Sequence, residues 1–377
     1  MVFILEMSLI KVNVMTNVNA CVIIVFMEVF ITILALSIVV FIHEMGHLLA
    51  AKFVGVGVYE FSVGMGPKIA QKKFKDTIYS LRLLPIGGFV KLAGLDDEKD
   101  KKIPDQINFR KKSISRRALI ISAGSIMNLI LGYLVFFLLF YFIGFSKISP
   151  SIEKVVLDSP ASRAGLMAGD EITFINDSKV DDVYEDVISR ISQSKGDSIS
   201  LTFNRDGSSS VVSLSPELIQ GKDVYRIGIV LSAIQEETLF LDCVRLSAKA
   251  TWGHVLLVFK SLDMLISGEA EFKDMTGPVG IVQFASFSLT KSMVSFFEIM
   301  ALITISLGVI NLFPFPILDG GHLFFLALEG IRKRPVSKRV EEIVNGIGVV
   351  FLLVTMVLIL FNDIFFWKDR VDLLDKL

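Results

Sequence analysis

Cysteine is almost absent from this chain, since Cys21 and Cys243 are the two cysteines among 377 residues. Two thiols are too few for a disulfide framework or a thiolate metal site. Histidine is also scarce, with four residues. A metal site in this chain would therefore take its ligands from His, Asp and Glu.

The chain also lacks an excess of charge of either sign. Its 38 Lys and Arg residues balance 39 Asp and Glu residues, which gives a net charge of -1. It contains no long basic arm with interleaved aromatic residues. We therefore expect no nucleic-acid partner.

Apolar residues, in contrast, are abundant. They make up 53% of the chain, with 31 Phe and a mean hydropathy of +0.64. About 20 apolar residues are needed to cross the hydrocarbon of a bilayer, and four runs are long enough: about 29–49, 118–143, 293–313 and 347–366. The composition predicts an α-helical membrane protein with about four transmembrane helices.

Basic residues near these runs predict the orientation. About fifteen Lys and Arg against about seven Asp and Glu lie between the first two runs, and "IRKRPVSKR" separates the last two. Both loops should be cytoplasmic. The segment from about 144 to 290 should then lie on the opposite face.

The remaining segments suggest five regions. Residues 1–26 read poorly as a signal peptide and receive no role, and Met27 is a candidate start of the functional protein. Residues 27–143 carry the first two spans, and 292–377 carry the last two. Residues 144–236 alternate like short strands around one helix near 181–193, which is typical of a mixed α/β domain. We expect residues 237–291 to form a helical connector. Its first part, 237–266, has Trp252 and Phe259 on its apolar side. This part is either a helix that lies on the membrane surface or a helix that only packs against the rest of the protein.

The first cytoplasmic loop is unusual because it alternates like a sheet. "GVGVYEFSVGMGPKI" and "TIYSLRLLPIGGFVKLAG" place glycines at the expected turns, which predicts a β-hairpin sheet beside the first span. Irregular backbone at membrane depth is tolerated where protein or a wet cavity covers it. The sheet should line a site, and its 83–90 stretch, with Gly87 and Gly88, should offer edge groups to an extended substrate.

The sequence "FIHEMGHLLA" at 41–50 carries the chemistry. On a helix, His43 and His47 share a face and can bind one Zn²⁺, while Glu44 lies beside the open coordination position. Two histidines and a glutamate at the end of an apolar span are costly without a compensating ion. This HExxH pattern predicts metal-activated hydrolysis with Glu44 as the base.

The third ligand should come from "NLFPFPILDGGH" at 311–322. Asp319 is the candidate, because Pro314 and Pro316 break the helix before it and free backbone carbonyls. The alternative is that this break only turns the chain at the membrane face and leaves Asp319 in interfacial water. Asn311 could hydrogen-bond a substrate or only pack between helices, and we do not count His322 as a ligand.

These stretches together resemble a known family. HEMGH, "NLFPFPILDGG", "GPVGI" at 277–281, the "LLPIGGFVKLAG" hairpin and the closing "LFND" are similar in order and spacing to the site-2 protease family of intramembrane zinc metalloproteases, of the regulator-of-sigma-factor type. The resemblance implies one Zn²⁺ per chain on His43, His47 and Asp319, with Glu44 as catalytic base and Asn311 as a substrate contact. We also expect the substrate to contact Gly87, Gly88, Pro314 and Pro316.

The resemblance extends to the outer domain, where "VVLDSPASRAGLMAGDEITFINDSKVDD" at 155–182 looks like part of a circularly permuted PDZ domain. Residues 144–236 have room for one PDZ domain, whereas the family's best-known members have two. This domain either captures a peptide or substrate tail or only shields the active site. The resemblance also implies a multi-pass protein of the bacterial inner membrane, with the PDZ domain extracytoplasmic.

The main interpretation is an endopeptidase that cuts transmembrane segments of single-span proteins; the resemblance implies anti-sigma factors or remnant signal peptides as substrates. A metal-dependent transporter is one alternative, against which Glu44 and the lack of an inverted repeat argue. A noncatalytic PDZ scaffold with a structural zinc is the other.

Overall fold

The computed structural model describes residues 18–95, 103–180, 183–218, 224–236, 239–269 and 275–366. The chain divides into two compact units, Met1–Leu139 with Leu241–Leu377, and Phe140–Phe240. Each unit is built around its own buried residues.

Long helices dominate the first unit. In chain order, the helices of the whole chain are α1 Val18–Val54, α2 Ile114–Ile143, α3 Pro160–Arg163, α4 Arg190–Gln193, α5 Phe240–Ser267, α6 Pro278–Lys291, α7 Met293–Asn311, α8 Asp319–Arg332 and α9 Lys338–Phe365, with a 3-10 turn at Phe109–Lys111 and a π-helical segment at Val183–Ser189.

Four of these helices are long and apolar enough to span a bilayer, which confirms the predicted number within the described residues. They are Phe26–Val54 of α1, all of α2, all of α7 and all of α9. Helices α2 and α9 begin before the predicted runs, and α1 extends beyond its run at both ends, because residues that can continue a helix flank each run. Helix α7 ends at Asn311, three residues before Pro314, which cannot continue a helix.

The predicted hairpin is present as β1 Val58–Phe74 and β2 Thr77–Leu92, an antiparallel pair. Both strands bend sharply, so that residues 60–63 of β1 lie opposite both 78–81 and 88–91 of β2. The inner part packs with α1 and α2 in one buried cluster that includes Leu48, Phe61 and Ile120. Residues 88–91 thereby form an outer row of this sheet.

A polar network ties the bent sheet together. Glu60 accepts hydrogen bonds from Ser80 (2.7 Å) and Arg82 (3.0 Å) and pairs with Lys68 at 3.0 Å. Burial raises the pKa of Glu60, but the hydrogen bonds from Ser80, Lys68 and Arg82 outweigh burial and lower it below the ordinary value. Glu60 is therefore ionised at neutral pH.

The second unit is a mixed α/β unit. Its strands, numbered on from the hairpin of the first unit, are β3 Phe145–Val155, β4 Glu171–Ile175, β5 Ser178–Lys179, β6 Ile199–Arg205, β7 Ser208–Leu214, β8 Glu217–Leu218, β9 Tyr225–Arg226 and β10 Ile229–Glu236. The main sheet has the order β10-β3-β4-β6-β7, with β5 paired to β4. The helix expected near 181–193 is the π-helical segment followed by α4, and residues 181–182 lie outside the described ranges.

Helix α5 corresponds to the predicted connector helix, of which residues 237–238 lie outside the described ranges. Trp252 and Phe259 are each more than half exposed. His254 Nε2 lies 3.1 Å from Ser306 Oγ on α7. The helix therefore packs on a span along one side and presents apolar side chains on the other.

The N-terminus of α6 is held by the end of α9. Asp363 accepts hydrogen bonds from the backbone N–H groups of Gly277 (3.0 Å) and Gly280 (2.9 Å), and Asn362 donates to the carbonyl of Met275 at 2.8 Å. A carboxylate at a helix N-terminus satisfies donors that have no partner within the helix. The "GPVGI" and "LFND" stretches thus meet as one structural clamp.

Candidate metal centre

Three potential ligand atoms converge in the C-terminal third of α1. His43 Nε2 and His47 Nε2 are 3.2 Å apart, and Asp319 Oδ2 lies 3.3 Å from the first and 3.4 Å from the second. The two histidines meet because residues four apart share a helix face. Asp319 is the first residue of α8, so its carboxylate reaches this face from a separate element.

The chain before Asp319 is tightly folded. A Cβ at Gly320 would collide with the carbonyls of Leu312 and Phe313, and one at Gly321 with the carbonyl of Phe315. The loop therefore folds back onto the start of α8, and only glycine leaves room for it. This close approach brings Asp319 towards the histidines.

Helix α2 forms another wall of the site. His47 Nδ1 lies 2.9 Å from the carbonyl oxygen of Ile120, to which it donates, and this fixes the tautomer that leaves Nε2 free to bind a metal. A Cβ at Gly124 would come within 2.8 Å of His43 Nε2 and would also strike His47. Gly124 therefore provides the space in which the imidazoles lie.

Asn128 of α2 contacts the other histidine. Its side-chain amide is 3.3 Å from His43 Nδ1, and its Oδ1 is buried with no hydrogen-bond partner in the part of the chain that the structure describes. The amide oxygen and nitrogen exchange places by a half turn of the amide. With Oδ1 towards the ring, Asn128 accepts a hydrogen bond from the Nδ1–H of His43, which leaves Nε2 as a metal ligand.

The donor set fits zinc. Among the described residues, Asp319 Oδ2 is buried and has no hydrogen-bond donor, a costly arrangement unless a cation is present. One carboxylate and two imidazole ligands, with a fourth position for water, are typical of catalytic zinc sites. Within the described residues, His43, His47 and Asp319 are the group that could hold a metal ion.

Glu44 lies where α1 meets the bent sheet. It is half-buried, and a Cβ at Gly88 would lie 3.0 Å from Glu44 Cγ. Gly87 has a φ of 81°, which favours glycine. Gly88 therefore lets the backbone of β2 lie against the glutamate, whereas a Cβ at Gly87 would meet Met65.

The other sequence candidates occupy different positions around the site. Asn311 is the last residue of α7 and is half-buried, while Pro316 packs against Gly348 of α9. Pro314 borders an apolar cavity of about 220 Å³ that is also lined by Leu129, Val255, Phe259, Val309, Leu312 and Phe313. His322 does not belong to the ligand group and lines a cavity of about 160 Å³ together with Arg117 and Glu329.

The sequence interpretation missed Gly124 and Asn128. A signal was present in "SAGSIMN" at 122–128, because an asparagine inside an apolar span is costly and small residues allow helices to approach closely. Nothing in that stretch alone indicates which neighbour these residues serve.

Comparison with known proteins identifies the family. A model of Peptidase family M50 matches residues 31–355. The chain is 35% identical to a proposed zinc metalloprotease of Clostridium acetobutylicum, over 90% of this chain and 98% of the relative. It is 28% identical to the regulator of sigma-W protease RasP of Bacillus subtilis, over 88% of this chain and 97% of the relative. A PDZ domain of an SdrC-like protein from Listeria monocytogenes matches 23% of the chain and 88% of that structure, at 26% identity and a TM-score of 0.21.

These matches confirm the resemblance that the sequence stretches predicted, and they support a protease over the transporter and scaffold alternatives. The chain belongs to peptidase family M50, the site-2 protease family of zinc metalloproteases.

Proposed function

We propose that this zinc intramembrane protease hydrolyses peptide bonds within the transmembrane segments of single-span membrane proteins. His43, His47 and Asp319 hold the metal, and Glu44 is the general base. The observation that supports this most directly is the convergence of three ligand atoms within 4.8 Å at the end of an apolar span that also carries Glu44. Anti-sigma factors and remnant signal peptides are the substrates that fit this class.

Bound Zn²⁺ would lower the pKa of a water ligand and polarise the scissile carbonyl. Glu44 accepts the proton that the attacking water releases and delivers it to the nitrogen of the leaving amine. Ile120 and Asn128 hold the imidazoles of His47 and His43 so that their Nε2 atoms face the metal.

A substrate helix must unwind before it can be cut, because its carbonyls are hydrogen-bonded and sterically shielded. We propose that the unwound substrate pairs as an added strand with residues 88–91, the outer row of the sheet. Gly87 and Gly88 would let that strand approach Glu44. Asn311, Pro314 and Pro316 are further proposed substrate contacts.

The second unit has a proposed role in substrate selection. We assign residues 144–236 to a single PDZ domain on the extracytoplasmic side of the bacterial inner membrane, with a peptide or substrate tail as its ligand. Strand β10 supports this because it ends the order of the main sheet, and an edge strand can pair with an extended peptide. The alternative is that this domain only shields the active site and binds no peptide.

The replacement Glu44→Gln tests the mechanism. We expect cleavage to fall by about 10²–10⁴-fold, the typical contribution of a general base, while zinc content stays at one ion per chain. The measurement is coexpression of wild type or variant with a tagged library of single-span proteins, followed by a search for fragments that the variant does not produce. Zinc is measured in the purified proteins.

Glu28→Gln is the matched control, since Glu28 lies on the same helix within the same span. It should leave fragments and zinc unchanged. A Glu44→Gln protein that still produces the full set of fragments would refute the assigned base, and one that loses zinc would show that Glu44 belongs to the metal site itself.

A further inference from the structure

The metal site depends on the position of α8 relative to α2. Asp319 begins α8, whereas Ile120, Gly124 and Asn128, which frame the histidines, all lie on α2. Any sliding or rotation of α8 along α2 would move the Asp319 carboxylate away from the two imidazoles. Contacts between these helices therefore bear on metal affinity.

The backbone before Asp319 is strained. Ile317 has a φ of 80°, and a β-branched residue in this left-handed region is a true outlier. Such conformations persist where the surrounding structure holds them. The loop therefore has a tendency to relax, and some other contact must oppose that tendency.

Arg117 and Glu329 supply a two-point contact between the same helices. Arg117 Nη1 lies 3.0 Å from Glu329 Oε2, and Nη2 lies 2.6 Å from Oε1. The side chains are 9% and 18% exposed, so most of the surface of this pair is buried, although both residues border the cavity of about 160 Å³. Arg117 Nε is buried without a partner in the described part of the chain, so Glu329 alone fixes the guanidinium.

The Arg117–Glu329 pair lies on the same two helices as the residues of the metal site, at some distance along each helix. Arg117 is three residues before Ile120 on α2, and Glu329 is ten residues after Asp319 on α8, about three helical turns away. Between them, Leu326 packs with Ile120 and Ile121 in the buried cluster. One row of contacts thus runs from the ion pair, through apolar side chains, to the imidazoles.

A buried ion pair contributes little net stability to the packing of two helices, because desolvation of the two charges offsets much of their attraction. A bidentate arginine–carboxylate pair instead fixes geometry, since both parallel hydrogen bonds form in one relative position of the groups. Apolar side chains such as Leu326 permit sliding, and the ion pair does not.

We propose that Arg117 and Glu329 are positioning residues of the protease, whose bidentate pairing holds α8 in register with α2 and so keeps Asp319 at the metal site against the strain at Ile317. This inference rests on the proposed set of metal ligands.

The test measures zinc affinity rather than cleavage alone. Purified full-length protein in detergent is stripped of zinc and titrated against a chelator of known affinity, and the thermal unfolding of each zinc-free protein is recorded. The variants are Arg117→Gln, Glu329→Gln, Arg117→Lys and the exchange of the two charges, Arg117→Glu with Glu329→Arg. Arg116→Gln is the matched control, because Arg116 is the exposed neighbour of Arg117.

We expect each Gln variant to bind zinc about 10–100-fold more weakly, the usual effect of losing a group that orients a ligand. Arg117→Lys should be intermediate, since Lys keeps the charge without the two-point contact. The charge exchange should restore affinity to within a few-fold of wild type, and Arg116→Gln should match wild type.

Unchanged zinc affinity in folded Gln variants, with only a lower unfolding temperature, would overturn the proposal and leave an ion pair that stabilises the fold. If the Gln variants do not fold, Arg117→Lys and the charge exchange decide between the same two outcomes. A wild-type protein that binds no zinc would instead refute the proposed ligand set, which is a separate failure.

Discussion

At the scale of single residues, the metal centre divides into groups that sequence reveals and groups that it does not. His43, Glu44 and His47 are predictable because spacing on one helix determines which side chains face together. Asp319 is predictable as a candidate because an acid after two prolines inside an apolar segment is costly without a role. Whether these residues act as assigned stays a prediction, although the structure places them together.

Gly124 gives a prediction at this scale. The replacement Gly124→Ala would place a methyl group against both imidazoles, so the rings must rotate away from the geometry that binds metal. We expect zinc affinity to fall by at least about tenfold, by analogy with other losses of ligand orientation, as measured by chelator competition.

Gly253→Ala is the control for Gly124→Ala, because a Cβ at Gly253 of α5 meets open space. It should leave zinc affinity unchanged and stabilise the protein by up to about 1 kcal/mol through helix propensity. Equal zinc affinity in Gly124→Ala and wild type would contradict the role assigned to this glycine.

Asn128 and Ile120 show why the rest of the site was not predictable. Each acts on a histidine 73 or 85 residues away along the chain, and the contact exists only after α1 and α2 pack. Hydropathy identifies both helices but does not give their relative rotation. Residues that orient ligands are therefore visible only in the folded chain.

At the scale of secondary-structure elements, the spans were predictable because one property, a long apolar run, determines them. The hairpin was predictable as an alternating pattern, but its bend was not. Residues 60–63 of β1 pair with residues 78–81 of β2 on one side and with 88–91 on the other, so β2 must pass from one side of β1 to the other. Such a register depends on packing against α1 and α2. The clamp between Asp363 and α6 was likewise hidden, because it joins residues more than 80 apart.

The outer row of the sheet carries a prediction at this scale. Proline at position 89 removes a backbone donor next to Gly88, which contacts Glu44. If a substrate adds as a strand here, Phe89→Pro should lower cleavage by about tenfold or more, equivalent to roughly 1.4 kcal/mol, while zinc affinity stays near that of wild type. Fragment production and chelator competition measure the two quantities.

Ile69→Pro is the control for Phe89→Pro, since Ile69 is exposed in the distal part of the same hairpin. It should disturb the strand without affecting cleavage. Normal cleavage by a folded Phe89→Pro protein would remove strand addition from the proposed mechanism.

At the scale of the whole molecule, the chain consists of two units with different sources of stability. The first is made largely of spans that leave much apolar surface exposed, and in an 18-residue apolar stretch of Lys338–Phe365 only 6% of residues are buried inside the protein. Such surface is suited to lipid. The second has a buried cluster of its own, built from the main sheet and the helix beside it, so it should respond separately to a change in solution conditions.

Asp170 should make the stability of the second unit depend on pH in the acid range. Its side chain is 1% exposed and accepts hydrogen bonds from Arg205 at 2.6 and 2.7 Å and from the backbone N–H of Met167 at 2.8 Å. Burial raises the pKa of Asp170, but Arg205 and the Met167 N–H outweigh it and lower the pKa below the ordinary value. A lowered folded pKa stabilises the unit above about pH 4, where the unfolded carboxyl is ionised, and this contribution is lost as pH falls through the folded pKa.

We therefore expect Asp170→Asn to destabilise residues 140–240 by about 1–3 kcal/mol at pH 7, the typical worth of hydrogen bonds to a charged group, and to have progressively less effect as pH falls below about 4. Peptide-resolved hydrogen exchange of the full chain in detergent measures this, with wild type and variant compared at each pH. Peptides from 241–269 and 275–366 serve as the internal control, because a separate unit requires them to exchange equally in both proteins. A difference in residues 140–240 that persists undiminished at low pH would show that the ionised carboxylate is not what stabilises this unit.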